Sequence, residues 1–253
     1  MMTLSRLLRP LLAFSLLLLA PATQASETIR VSSGPHQTAV IELYTSEGCS
    51  SCPPADQWLE QLVQLPADEL DVLALAFHVD YWDYIGWKDR FASPAYSNRQ
   101  RHLARINRQD SAYTPEFFVN GAETRGTRRI IQQIQQINKQ PARVHLELAV
   151  TRENDQLKLS LNSQYDQTHS PRVRFVVFED KLSSNVKNGE NAGMLLKHQR
   201  VVRHFSQSQS LQPTLSHQLS LDPQWKQKHL GVGALVSTPD GEYLQAVYSL
   251  LAR

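Results

Sequence analysis

The chain has 253 residues, with 26 lysines and arginines against 24 acids, 41% hydrophobic side chains and two cysteines. That length gives one large domain or two ordinary ones ample core. No lysine and arginine stripe interleaved with aromatics points to nucleic acid as a partner.

At the amino terminus Arg6 and Arg9 precede the apolar run Leu11 to Leu19, and the segment closes with Thr23-Gln24-Ala25. This is a signal-peptide pattern with cleavage expected after Ala25. The run is shorter than the roughly 20 residues that span a bilayer, which disfavours the alternative of an uncleaved anchor. Losing residues 1–25 removes two arginines and no acid, so the mature chain is formally neutral. The expected location is periplasmic or secreted, with no membrane-spanning segment in the mature chain.

"AVIELYT" (39–45) and "DVLALAFHV" (71–79) read as strands buried on both faces, and "PPADQWLEQLVQL" between them as a helix with Trp58, Leu59, Leu62 and Val63 on one side. Strand, helix, strand makes a βαβ unit with both cysteines in the loop at the carboxyl end of its first strand. Ser93-Pro94 opens a second helix reaching about Asn107. In "YTPEFFVNG", Phe117, Phe118 and Val119 form a strand and Asn120-Gly121 a hairpin turn, leading to a short strand reaching about Arg125. A third helix follows on the stripe Ile130, Ile134 and Ile137, stopped by Pro141.

From Arg143 the period becomes two. "VHLELAV" and "LKLSLNS" flank the turn Asn154-Asp155, and later runs ("VRFVVFE", "RVVRHF", "LSHQLSL", "HLGVGALVS", "LQAVYSLL") have the spacing of a β-sandwich. The organisation expected is a signal peptide (1–25), an α/β domain (26–140) and an all-β sandwich-like domain (141–253).

"TSEGCSSCPPAD" allows several roles for Cys49 and Cys52. As a staple, a four-residue loop contributes only about 2 kcal/mol, against about 3 for fifteen residues. Structural zinc lacks a second cysteine pair. Cu(I), held by Cys49, Cys52 and His78, is a further alternative. His78, inside an apolar strand, reads more readily as a hydrogen-bonded core residue. His198 and His204 show no metal-ligand spacing.

Strand, Cys-x-x-Cys and helix, then Thr114-Pro115 ahead of a Phe-Phe-Val strand, resemble the thioredoxin superfamily. More closely, "ELYTSEGCSSCPPAD", "LALAFHVDYWDYIGWKD", "YTPEFFVNG" and "GENAG" with "VVR" resemble the exported bacterial family catalogued as domain of unknown function 1223, over essentially the whole mature chain. The resemblance implies a thioredoxin-like α/β domain, a central mixed sheet flanked by helices, followed by a β-rich tail. It makes Cys49 the exposed attacking cysteine, Cys52 the resolving cysteine and Pro115 a cis-proline beside them.

Leu43 stands where thioredoxins often hold a buried acid, which leaves Glu42, Glu47 and Asp80 as candidates for proton transfer. Pro53 disfavours helical dihedrals at Cys52, so regular helix is expected from Pro53. Ser50 and Ser51 can donate to a thiolate, and a moderately lowered Cys49 pKa is expected. Tyr81, Trp82, Trp87 and Phe91 either cap the core or, for the first three, wall a substrate groove. The function these residues point to is an exported thiol-disulfide oxidoreductase acting on protein or small thiols, its only redox group the Cys49–Cys52 pair. The alternatives are a Cu(I) carrier and a non-catalytic scaffold.

Overall fold

The computed structural model describes residues 28–166 and 170–252, so the expected signal peptide lies outside it. A short strand, β1 (Thr28–Ser32), comes first. The elements read from the sequence follow in order: β2 (Ala39–Thr45), α1 (Pro53–Leu62), β3 (Val72–His78), α2 (Pro94–Ile106), β4 (Glu116–Val119), β5 (Ala122–Glu123) and α3 (Thr127–Ile137). Proline opens α1 and α2, where a missing N–H costs nothing, and the Ser93 side chain caps α2 by accepting from Ala95 N at 3.3 Å. Asn120 and Gly121 both take positive φ (47° and 87°), as the hairpin turn between β4 and β5 requires, and a Cβ on Gly121 would meet Gly241 O at 2.6 Å.

Ten strands complete the chain: β6 (Val144–Glu153), β7 (Gln156–Tyr165), β8 (Arg172–Glu179), β9 (Leu182–Asn185), β10 (Leu195–His198), β11 (Val201–Phe205), β12 (Gln209–Ser210), β13 (Thr214–Ser220), β14 (Leu230–Ser237) and β15 (Tyr243–Leu250). They do not form a separate sandwich. A nine-stranded sheet runs β15-β14-β8-β11-β3-β2-β4-β5, with β12 pairing alongside β8. Its join is β11, parallel to β3 through Val201 and Ala76 and antiparallel to β8. The expectation of a helix-flanked thioredoxin-like α/β domain followed by a sandwich is therefore overturned: the described chain is mostly strand, with three α-helices and several sheets. The physical reason lies in β8 and β14. Both are buried nearly throughout, so each needs cover on two faces, which a two-layer sandwich standing alone does not supply.

The helices cover only one end of the large sheet. α1 and α3 pack on Ile41, Leu43, Ala74 and Ala76; α2 packs on the opposite face, against Tyr44, Leu75 and Phe77. At the other end a four-stranded sheet, β1-β6-β7-β13, lays Leu146, Leu148, Leu159 and Leu161 over Phe175, Val177, Val232 and Ala234. A two-stranded sheet, β9 with β10, stands apart from both. Among the described residues no helix is long and apolar enough to cross a membrane.

Gly231 lies on β14 under the Phe178 ring of β8, where an added Cβ would overlap the ring atoms. Gly231→Ala is expected to cost about 1–3 kcal/mol through overpacking. Because one sheet spans both halves, tryptophan fluorescence and far-UV circular dichroism in urea should shift together, as one transition.

Candidate functional site

The loop from β2 to α1 folds back on itself twice. Cys49 N donates to Ser46 O at 3.2 Å and Cys52 N to Cys49 O at 3.1 Å. These turns bring the cysteines together in a disulfide, with Cα atoms 5.4 Å apart, and leave no free cysteine. Cys52 takes helical dihedrals (φ −78°, ψ −38°) despite the proline after it. Its carbonyl accepts from Ala55 N and Asp56 N at 2.9 and 3.1 Å, which outweighs the steric preference. The Thr114-Pro115 bond is cis. Ser51 bridges to it: its hydroxyl lies 3.3 Å from Cys49 Sγ and donates to Thr114 O at 3.5 Å.

Cys49 was expected to be exposed and is not. Cys49 is 1% and Cys52 0% accessible, while Ser50 and Ser51 face solvent. The cover is the loop between β9 and β10. Asn191, itself buried, donates from Nδ2 to Glu47 O at 2.9 Å and to Cys49 O at 3.0 Å, and Ser50 N donates to Glu190 Oε2 at 3.0 Å. The hydrogen bonds from Ser50 hold the Glu190 carboxyl below its usual range. Gly189 backs onto Ile85 and Trp87 at distances that leave a side chain little room.

Behind the disulfide lies a buried cluster of five titratable side chains. His78 Nδ1 is 2.6 Å from Asp89 Oδ2, and His198 Nε2 is 3.1 Å from Glu47 Oε1. The two imidazoles meet edge to face at 5.0 Å, and Trp87 Nε1 donates to Glu47 Oε2 at 2.7 Å. Asp56, one turn into α1 from Cys52, accepts from the Thr45 hydroxyl at 3.1 Å. Burial pushes the Asp56 carboxyl above its usual range, against the pull of His198 and His78. Burial works the same way on Glu47 and Asp89, but hydrogen bonds from His198 to Glu47 and the His78 charge beside Asp89 outweigh it and hold both low. His78 is lowered by burial and raised more by Asp89, ending above its ordinary value. His78 Nε2 and His198 Nδ1 have no hydrogen-bond partner among the described residues. The triad Cys49, Cys52 and His78 is not drawn up as a copper site: among the described residues no three His, Cys, Asp or Glu side chains gather as metal ligands.

Of the proton-transfer candidates, only Glu47 belongs to this cluster. Glu42 is locked by Arg99, at 2.5 and 2.7 Å, and by the Tyr44 and Tyr243 hydroxyls; these outweigh burial and keep it low. Asp80 is engaged by the Ser97 hydroxyl of α2, which donates to Asp80 Oδ1 and accepts from Asp80 N at 3.1 Å. Leu43 is packed in the core, as its residue type demands. The three aromatics expected to wall a groove are each hydrogen-bonded: Trp82 Nε1 donates to Thr114 Oγ1 at 2.7 Å, Trp87 to Glu47, and the Tyr81 hydroxyl to Gln100 at 3.1 Å; Tyr81 also lines a cavity of about 400 Å³ with Arg101, Arg105 and Gln109. An open cleft of about 460 Å³ does border Pro115, walled by Tyr113, Phe117, Thr124 and Arg125. Phe91 packs in a small core with Leu182 and Val201.

Sequence reasoning missed Asp56, Asp89, Glu190 and Asn191, and gave His198 no role. Asp56 carried one usable signal, its position four residues after Cys52, which places both on one helical face.

Together these features define a mostly β protein with a capped Cys-x-x-Cys disulfide at a strand-to-helix turn. The chain belongs to the family described as "Protein of unknown function (DUF1223)", which matches residues 40–237. It is similar to the crystal structure of protein AGR_C_4864 from Agrobacterium tumefaciens: 25% identity, TM-score 0.63, covering 86% of this chain and 96% of that one. HBP35 of Porphyromonas gingivalis shares the fold at 18% identity and TM-score 0.68, covering 87% of this chain and 76% of that one. No curated protein matches.

The His78–Asp89 pair makes stability depend on pH. His78, raised above 6.5, contributes fully below pH 6.5 and loses that contribution as pH rises through its folded value; Asp89, held below 3.8, contributes above pH 3.8 and loses it in stronger acid. Asp89→Asn should therefore cost most between about pH 4 and 6.5, on the order of 3 kcal/mol, and less at about pH 9. Urea midpoints of the two proteins at about pH 5.5 and 9 check this; an equal cost at both would contradict it.

Proposed function

We propose that this protein is an exported thiol-disulfide oxidoreductase whose Cys49–Cys52 pair exchanges disulfides with protein or small-molecule thiols once the β9–β10 loop moves aside. The observation that carries the reading is the buried cluster of His78, Asp89, Glu47, His198 and Asp56 set behind the disulfide. A four-residue staple worth about 2 kcal/mol has no use for so many desolvated titratable groups, whereas proton-coupled sulfur chemistry does. Export rests on the signal-peptide pattern at residues 1–25.

In the oxidised state a substrate thiolate attacks Cys49 Sγ, the Cys49–Cys52 bond breaks, and Cys52 leaves as a thiolate that takes up a proton. Asp56, one turn along α1 and biased by burial toward its protonated form, is the nearby donor. A second substrate thiol then displaces Cys49, leaving the substrate as a disulfide and the pair reduced by two electrons. The reduced pair runs the same steps backward on a disulfide substrate. The cleft beside Pro115 gives an extended substrate a surface next to the sulfurs.

The burial of both sulfurs favours one other reading, a disulfide that only fixes the loop. Two experiments separate them. Exchange with a glutathione-disulfide probe should vanish in Cys49→Ser, and Cys52→Ser should trap substrate through Cys49. Asn191→Ala removes two hydrogen bonds at about 1 kcal/mol each, so reduction by dithiothreitol should speed up by on the order of thirtyfold. Unchanged reduction in Asn191→Ala, together with no exchange by the parent protein, would leave only the fixed-loop role.

A further inference from the structure

Far from the disulfide, a cavity of about 400 Å³ opens between α2 and the end of the large sheet where β8 and β14 run. Arg99, His102, Arg172, Arg174, Ser208 and Ser210 supply its polar wall. No acidic side chain lines it among the described residues; Asp240 and Glu242 lie next to lining residues in sequence without joining them.

Arg99 has its counter-charge in Glu42. The other two do not: neither Arg172 nor Arg174 forms an ion pair among the described residues. They are two apart on β8, so their side chains leave the same face of the sheet. Arg174 gives one hydrogen bond, Nη1 to Ser206 O at 2.7 Å, and shares the Phe205 ring with Arg99, the two guanidinium carbons lying 5.1 and 4.8 Å from its centre. Burial, and then the charge of Arg99, push the Arg174 pKa below its usual value, so the fold holds this cation at a cost.

The hydroxyls add to the same polarity. Arg172 donates from Nε to Ser208 Oγ at 3.2 Å and from Nη1 to Ser210 Oγ at 3.0 Å. A serine oxygen that accepts from a guanidinium keeps its own O–H free to donate, and both serines line the cavity. Guanidinium N–H groups, two hydroxyls and the His102 imidazole line one cavity whose described wall holds no carboxylate; Glu42, which also pulls on Arg174, is itself taken up by Arg99. Guanidinium groups with hydroxyls match the oxygens of a tetrahedral oxyanion, and the volume leaves room for an organic group attached to it.

We propose that this cavity binds a phosphate-bearing small molecule, with Arg174 and the Ser208 and Ser210 hydroxyls as the principal donors to its phosphate. The site is independent of the sulfur chemistry proposed above. Inorganic phosphate is the probe, titrated by calorimetry and thermal unfolding into the mature protein against chloride at matched ionic strength. Phosphate should bind saturably and raise the midpoint where chloride does not, and Arg174→Gln should weaken it by about tenfold. Arg101→Gln, at a cation outside the cavity, should bind as the parent does. If Arg174→Gln fails to fold, the double variant Ser208→Ala, Ser210→Ala carries the test, with a several-fold weakening expected. An equal response to chloride, or unchanged phosphate binding in the folded variants, overturns the proposal.

Discussion

The whole arrangement depends on the pairing of β11 with the open edge of β3. β3 is buried on both faces, so its backbone donors find no water, and β2 satisfies only one of its edges. On the other edge Ala76 N donates to Arg200 O at 2.9 Å and Val201 aligns with Ala76. Through that short contact β8, β14 and β15 continue the sheet. The same contact delivers His198, three residues before β11 begins, to the back of the cysteine loop.

This explains why the disulfide and the buried cluster are one structure. Cys49, Cys52, Asp56 and Glu47 come from the first βα turn, His78 and Asp89 from the end of β3 and the loop after it, and His198, Glu190 and Asn191 from the hairpin beside β11. Each histidine has a carboxylate within 3.1 Å, and the fifth group, Asp56, carries no such partner. Two buried histidine–carboxylate contacts thus stand beside a carboxyl that burial pushes up, one helical turn from a sulfur. These groups are buried, which strengthens their mutual interactions.

Much of the first half was legible because its signals are local. Ser93-Pro94 fixes the start of α2, Asn120-Gly121 the hairpin, the isoleucine stripe α3 and Pro53 the start of α1. The domain architecture was not, although β8 and β14 carried a hint in their near-continuous apolar runs, unlike the alternating β6 and β7. Such runs say that a strand is central and do not name its neighbours. At the site, the sequence led directly to Cys49, Cys52, Thr114 and Pro115. It could not lead to Asn191 or Glu190, about 140 residues away, since nothing in "GENAG" states which surface that loop covers. Exposure of Cys49 was misjudged for the same reason.

The cover over the disulfide loop hangs from β9 and β10, a ladder of four residue pairs that joins no other strand among the described residues. A lone hairpin of this size is only marginally stable by itself. The guard therefore draws its stability from packing, through the buried Leu182, Val186, Leu196 and His198, while the loop it guards follows the fully buried β2. On the function proposed above, access to the sulfur turns on local release of that packing rather than on the stability of the whole.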